Sequence, residues 1–222
     1  MKTIKLCIYL FAVFGINSLF AQEDLGFEFI LPQFEKGYVY FKNGTRTPAL
    51  LNYSMYRQEM LFMDNENTMM EFANLSDIHS ILIGERRFFP APPKRIFYEE
   101  IKTESGSFFV QYNAYIISQG KEAAYGGYSQ TISTQSLASI ENGPAGRVKL
   151  KSSEKFGIKT DEYYYIKSGN NYKRFFSAKS LGKLFKGQAA KIEEFAKEQS
   201  IDFSQFDDIA KIVEYAYSLM KN

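Results

Sequence analysis

The sequence predicts an α+β protein: an antiparallel β meander, as a sheet, sandwich or partly closed barrel, followed by a C-terminal three-helix segment. Three observations carry that expectation. From Phe27 to Phe176, apolar residues recur in short runs separated by turn residues, with the two-residue period of a half-buried strand. From Ser177 the period becomes helical, and Phe206, Ile209, Ala210, Val213, Ala216, Tyr217 and Met220 fall on one stripe. No helical pattern long enough for a parallel crossover separates the strands, so short connections and antiparallel pairing follow.

Each element has its own signal. Tyr38–Lys42 runs into Asn43-Gly44, where both residues tolerate positive φ, which predicts a tight hairpin with Ala49–Met55. Gln58–Met63 follows, and Asp64-Asn65-Glu66-Asn67 breaks the pattern before Thr68–Phe72. Strands are expected over His79–Gly84, Arg87–Phe89, Arg95–Lys102 and Ser107–Ile117, with Ser105-Gly106 turning between the last two. In Ser107–Ile117, Phe108, Val110, Tyr112, Ala114 and Ile116 share one face, and Phe109, Gln111, Asn113, Tyr115 and Ile117 the other. Arg147–Lys151, Glu162–Lys167 and Tyr172–Phe176 complete the β body, the last two joined through Gly169-Asn170-Asn171. Leu181, Leu184 and Phe185 mark a short helix that Gly187 closes. Ala189, Ile192, Phe195 and Ala196 mark a second. Ser204 is the expected N-cap of the third, with Asp207 and Asp208 at its positive end. Glu193 with Lys197 and Asp207 with Lys211 are i,i+4 pairs.

The organisation read from this is a signal peptide at 1–21, a β domain at 22–176 and a helical segment at 177–222 packed on it. The first 21 residues carry a short basic start, an apolar run from Leu6 to Phe14 and Ala21 before the break, the parts of a secretory signal. The run is shorter than the ~20 residues a membrane-spanning helix needs, so no transmembrane span is expected after cleavage. Signal removal takes Lys2 and Lys5 with it; 27 basic residues less these two equals the 25 acidic ones. A net-neutral mature chain has no global basic surplus to grip nucleic acid. Cys7 lies in the signal, so disulfides and thiolate metal sites are excluded from the remainder. A chain that is 45% hydrophobic and 17% aromatic can bury a core without such staples.

Several short motifs, together with a signal ending in Phe20-Ala21-Gln22, resemble a recurring set of exported proteins of Bacteroidetes bacteria. They are Leu51-Asn52-Tyr53, Glu59-Met60-Leu61-Phe62 and Ile81–Glu85, then Lys179–Phe185, Ile201-Asp202-Phe203 and Asp208-Ile209. The resemblance implies export, to the periplasm or the outer membrane, and brings no site residues with it.

Candidate chemistry is sparse. His79 is the only imidazole, with Asp77 and Ser80 beside it. In a regular strand Ser80 points away from His79, which places it poorly for a hydrolytic triad. Glu99-Glu100 faces two ways for the same reason, and Glu193-Glu194 reads as a solvated helix face. Asp64–Asn67 lacks the spacing and glycine of a calcium loop. Gly126-Gly127 and Gly143-Pro144-Ala145-Gly146 lack the strand–helix context of a phosphate loop. Arg86-Arg87 and Lys94-Arg95 flank Phe88–Pro93 and read as a polar loop with a stiff proline stretch. Tyr38, Tyr40 and Tyr163-Tyr164-Tyr165 could stack on sugar rings, and strand propensity accounts for them equally well.

Ser118–Gly146 is expected as a long polar loop, rich in Ser, Gln, Thr and Gly. Structureless stretches of this length are usually functional or mobile, and Tyr125 and Tyr128 suit an adaptable recognition surface. They are the expected binding residues. No catalytic residue, cofactor or metal is expected. The functional expectation is an exported, non-enzymatic binding or interaction protein of the bacterial envelope, with a protein or glycan partner. The alternatives are a hydrolase using carboxylates from separate strands and a carrier of small apolar ligands.

Overall fold

The computed structural model describes residues 29–91, 94–123, 127–129, 154–169 and 171–221. The signal assigned to 1–21, the strand expected at Arg147–Lys151, and Tyr125 lie outside these residues. The described strands are β1 (Glu35–Phe41), β2 (Arg46–Ser54), β3 (Glu59–Met63), β4 (Met69–Glu71), β5 (Ile78–Ile83), β6 (Arg86–Pro90), β7 (Phe97–Lys102), β8 (Ser107–Ala123), β9 (Gly127–Ser129), β10 (Glu154–Ser168) and β11 (Asn171–Phe175). Three helices follow, α1 (Ala178–Gly182), α2 (Ala189–Glu198) and α3 (Phe206–Ser218). Every ladder is antiparallel, and ten strands run β11-β10-β8-β7-β6-β5-β1-β2-β3-β4, with β9 beside β8. The α+β architecture is as the periodicity predicts.

The order contains one departure from a simple meander. β5 pairs with β1 and not with β4, so the chain after β4 returns to the free edge of β1. Gly37 permits this approach: a Cβ there would overlap the Leu82 carbonyl oxygen of β5. The result is two meanders, β1–β4 and β5–β11, joined along the β1–β5 ladder.

The sheet buries one face, and it does so in two ways. Over β8, β10 and β11, Phe108, Val110, Tyr164, Ile166 and Phe175 are covered by Leu181, Phe185, Ile192, Ile209, Ile212, Val213 and Ala216 of the helical segment. Over β1–β7, Val39, Leu51, Tyr53, Met60, Ile78, Ile81, Ile83, Phe88 and Phe97 pack on one another and on Leu75. Here the sheet curls upon itself. The Ala114 N–H of β8 donates to the Met55 carbonyl at 3.0 Å, and the Tyr53 hydroxyl donates to the Tyr112 carbonyl at 3.3 Å. Gln58, in the β2–β3 turn, donates to Asn113 at 2.9 Å and accepts from Gln111 at 2.5 Å. Arg95, just before β7, bonds Glu59 of β3, Glu71 of β4 and the Phe72 carbonyl. The strand ladder itself remains open between β4 and β11.

Local structure follows the residue chemistry. Buried Asn52 clamps the segment before β1: its side chain donates to the Leu31 and Gln33 carbonyls at 2.9 and 3.1 Å and accepts from the Leu31 N–H at 3.2 Å. The β7–β8 turn lies directly against α3. Glu214 accepts from the Ser105 N–H at 2.7 Å, and a Cβ on Gly106 would overlap the Tyr217 ring.

Four local expectations are corrected. β8 extends to Ala123 and β9 returns along it, so 118–123 and 127–129 are strand where a loop was expected. The strand expected over Glu162–Lys167 is the second half of a longer one beginning at Glu154. Gln205, not Ser204, occupies the N-cap position of α3, without a side-chain cap bond, and the Asp202 carboxylate accepts from both the N–H and the hydroxyl of Ser204 at 2.8 Å. Lys211 reaches Gln199 at 2.7 Å in place of Asp207.

Replacing Gly106 with Val forces the hairpin off Tyr217, and we expect a loss of about 1–3 kcal/mol in denaturant unfolding. Combining it with Tyr217→Ala should cost less than the two single changes together, since the clash partner is gone.

Candidate functional site

Directly opposed residues in an antiparallel ladder project to the same face, so the register assigns the second face of the sheet residue by residue. Arg174 opposes Tyr165, which opposes Phe109, which opposes Glu100. Glu100 opposes Arg87, Arg87 opposes Leu82, and Leu82 opposes Tyr38. Tyr172 joins through Lys167, Tyr98 through Phe89, and Tyr40 through Arg46. The helical core lies wholly on the other side. Of the tyrosines singled out in the sequence, Tyr38, Tyr40, Tyr163 and Tyr165 come together on this outer face, and Tyr164 goes to the core.

The outer face carries a continuous aromatic array. Tyr98 stacks on Tyr172 with centroids 4.2 Å apart and meets Tyr165 edge-on at 4.8 Å. Phe109 meets Tyr172 at 5.0 Å and Phe89 at 5.9 Å, and His79 closes the row against Phe89 at 5.8 Å. Five cations lie on rings of this face, Lys159 on Tyr115 at 5.6 Å among them. Lys167 Nζ is 5.3, 5.9 and 5.6 Å from the centroids of Phe89, Phe109 and Tyr172. Arg174 lies 3.9 Å from Tyr163, Arg46 4.8 Å from Tyr38, and Arg87 5.4 Å from Tyr40. Such contacts are worth about 0.5–1 kcal/mol each at exposed sites, enough to hold a long side chain upright.

A different arrangement holds the cations elsewhere. On the inner face Arg86 grips Glu99 through two bonds of 2.8 and 2.7 Å, and the Tyr112 hydroxyl adds a third at 2.6 Å. The Glu99 side chain is 6% exposed. Burial opposes charge on Arg86, but the bonds to Glu99 outweigh it and its pKa is raised. Burial also raises the Tyr112 hydroxyl, with the Glu99 carboxylate adding to the effect. At the sheet edge, Arg57 pairs with Glu71 at 3.0 Å and Arg95 with Glu59 at 2.6 Å and Glu71 at 3.4 Å. Carboxylates from separate strands therefore do converge, and arginines bridge them. Among the described residues, no three His, Cys, Asp or Glu side chains cluster to hold a metal ion.

The His79 neighbourhood corrects the sequence reading. Register passes from Tyr40 opposite Ser80 to Phe41 opposite Ile78, leaving His79 as the extra residue of a β-bulge. The bulge brings His79 Nδ1 to 3.2 Å from Ser80 Oγ, although regular alternation would separate them. A triad still does not form. Ser80 is fully buried and its oxygen also accepts from Arg87 at 3.1 Å, while Asp77 accepts from Asn74 at 2.8 Å. Glu99 and Glu100 do face opposite ways, the latter accepting from Ser107 Oγ at 3.2 Å.

Of the two expected binding residues, Tyr128 lies in β9, paired with Glu122. That position is 13 residues along β8 from Phe109, roughly 40 Å of strand, so the structure does not bring it to the aromatic array. Sequence reasoning missed Phe89, Phe109, Tyr172, Lys167 and Arg174 as a group. The signal was available only as shared parity within each strand, without register between strands. No protein-family model, curated protein or solved structure matches the chain.

Two predictions follow from these geometries. Glu99→Ala strands a largely enclosed guanidinium and should cost about 3 kcal/mol in unfolding experiments, whereas Arg86→Met with Glu99→Leu should cost clearly less. The Tyr172 hydroxyl is pushed up to about 12 by burial and then by Glu100, and Tyr98 and Tyr53 are also raised, chiefly by burial. The folded state thus favours neutral phenols. The Tyr172 contribution is complete below the ordinary pKa of about 10 and is lost as pH rises through about 12, and those of Tyr98 and Tyr53 persist to higher pH. Ultraviolet titration should show tyrosines ionising late, followed by alkaline unfolding over that window.

Proposed function

We propose that this chain is an exported, non-enzymatic binding protein of a bacterial envelope, and that its ligand surface is the outer face of the sheet. The observation that carries this reading is the one-sided array of rings, buried at Tyr98 and Phe109 and half-buried at Phe89, Tyr165 and Tyr172, with cations on its ring faces, opposite the face that the helices and the curl bury. Large aromatics and arginine are the residue types that dominate recognition surfaces. A binding surface also requires no perturbed acid–base pair, in keeping with a chain whose converging carboxylates are bridged by arginines. The β8–β10 segment with Tyr125 and Tyr128 remains a second proposed contact region, favoured by its polar, tyrosine-bearing composition.

The test compares retention on the cognate envelope preparation of the chain from Gln22 onward, its Tyr38→Ser/Tyr40→Ser/Tyr163→Ser variant and a form lacking 121–144. Retention of the tyrosine variant should fall tenfold or more, with a melting temperature within a few degrees of the parent. Loss confined to the deleted form would move the surface to that segment. Equal washing-out of all three would overturn the binding reading.

A further inference from the structure

Two groups of cations stand out in this molecule, beside Lys159, which lies on the Tyr115 ring of the outer face and also pairs with Asp161 at 3.6 Å. Arg57, Arg86 and Arg95 are each within ion-pair distance of a carboxylate. Arg46, Arg87, Lys167 and Arg174, all on the outer face, have none within that distance among the described residues, and sit instead on aromatic rings. Ring faces steady a cation without neutralising it, because a quadrupole supplies attraction and no net charge. The outer face therefore carries a row of four positive charges without an ion-pair partner among the described residues, on a chain whose mature total is zero. Glu100 is the acid of this row nearest its centre, and it is held by Ser107.

The row is long. From Arg174 on β11 to Arg46 on β2 the sheet order gives seven strand spacings, about 34 Å along the curved face. A small anion would meet only a fraction of it, and an extended polymer with repeated charges would meet it all. Two features decide which polymer. The faces of Tyr38, Tyr40 and Tyr163 are occupied by the molecule's own cations, so they are not open platforms for nucleobases, which single-strand binding requires. Guanidinium forks match carboxylates in bidentate geometry, and phenol hydroxyls at the ring edges can bond a polyol.

We infer that the outer face binds a linear acidic polysaccharide, its carboxylates seated on Arg46, Arg87, Lys167 and Arg174. This inference rests on the outer face being the ligand surface and names the ligand's chemistry. The probes are oligomannuronate, a uronic-acid chain, beside neutral dextran, a single-stranded oligothymidylate and anionic phospholipid vesicles, in titration calorimetry at two salt concentrations. Oligomannuronate should bind and dextran should not. The Arg46→Gln/Lys167→Gln/Arg174→Gln variant should lose tenfold or more in affinity, while Lys191→Gln on α2 should bind as the parent does. Affinity unchanged in the triple variant, or lost equally in Lys191→Gln, would overturn the assignment. So would tighter binding to oligothymidylate or to the vesicles. Failure with every polyanion, alongside intact retention on the envelope, would remove the acidic glycan and leave the binding role standing.

Discussion

A sheet of ten strands exposes more apolar surface on one face than three short helices can cover, and the rest of the architecture answers that shortage. Helical residues from Leu181 to Ala216 cover only the β8, β10 and β11 end. The remaining strands must find cover in one another, and curling brings Tyr53 and Phe88 into a stack 5.7 Å apart with Tyr112 edge-on at 6.4 Å. Curling in turn needs a polar seam where the β2–β3 turn meets β8, because the backbone there would otherwise lose its partners out of water. The Ala114 N–H donating to the Met55 carbonyl and the Tyr53 hydroxyl donating to the Tyr112 carbonyl meet that need, and the Gln58, Gln111, Asn113 and Tyr165 side chains bond one another beside them.

Charge follows the same division of faces. Wherever a guanidinium enters the curl or closes its edge, a carboxylate accompanies it, since an unpaired charge there would suffer most of its desolvation cost. On the outside, water screens Arg46, Arg87, Lys167 and Arg174 and aromatic rings orient them, while Lys159 has both a ring and Asp161. A formal net charge of only +2 thus conceals an uneven distribution. Composition alone excludes a globally basic protein but says nothing about a basic face.

The sequence made the strands and helices legible because both periods are local. Phe108, Val110 and their alternating neighbours occupy the faces that parity assigns, and Ile209, Val213 and Ala216 are buried as the stripe predicts. What parity cannot supply is the partner of each strand. The β1–β5 ladder joins strands separated by a whole hairpin unit, and Arg86 meets Glu99 across a register that neither residue reveals. The bulge at His79 adds one residue and leaves no mark in composition, yet it reverses which side chains can touch. The α3 cap was misread because Asp202 competes for Ser204, a contest between two local hydrogen-bond patterns that propensity alone does not rank. The outer array was illegible for the first of these reasons: its rings come from six strands.

The two cores also differ in when the chain can complete them. The buried apolar cluster over β1–β7 lies wholly at or before Phe97, whereas the helix-covered core runs from Phe108 to Ala216. A chain growing from its N-terminus holds every buried residue of the first core long before α3 exists. Until α3 arrives, Phe108 and Val110 have lost neither their apolar character nor their exposure to water, and they present a hydrophobic sheet face to whatever is nearby. The last helix is therefore a completion signal as well as a packing element. A truncated or stalled product is marked as unfinished by the surface it fails to hide.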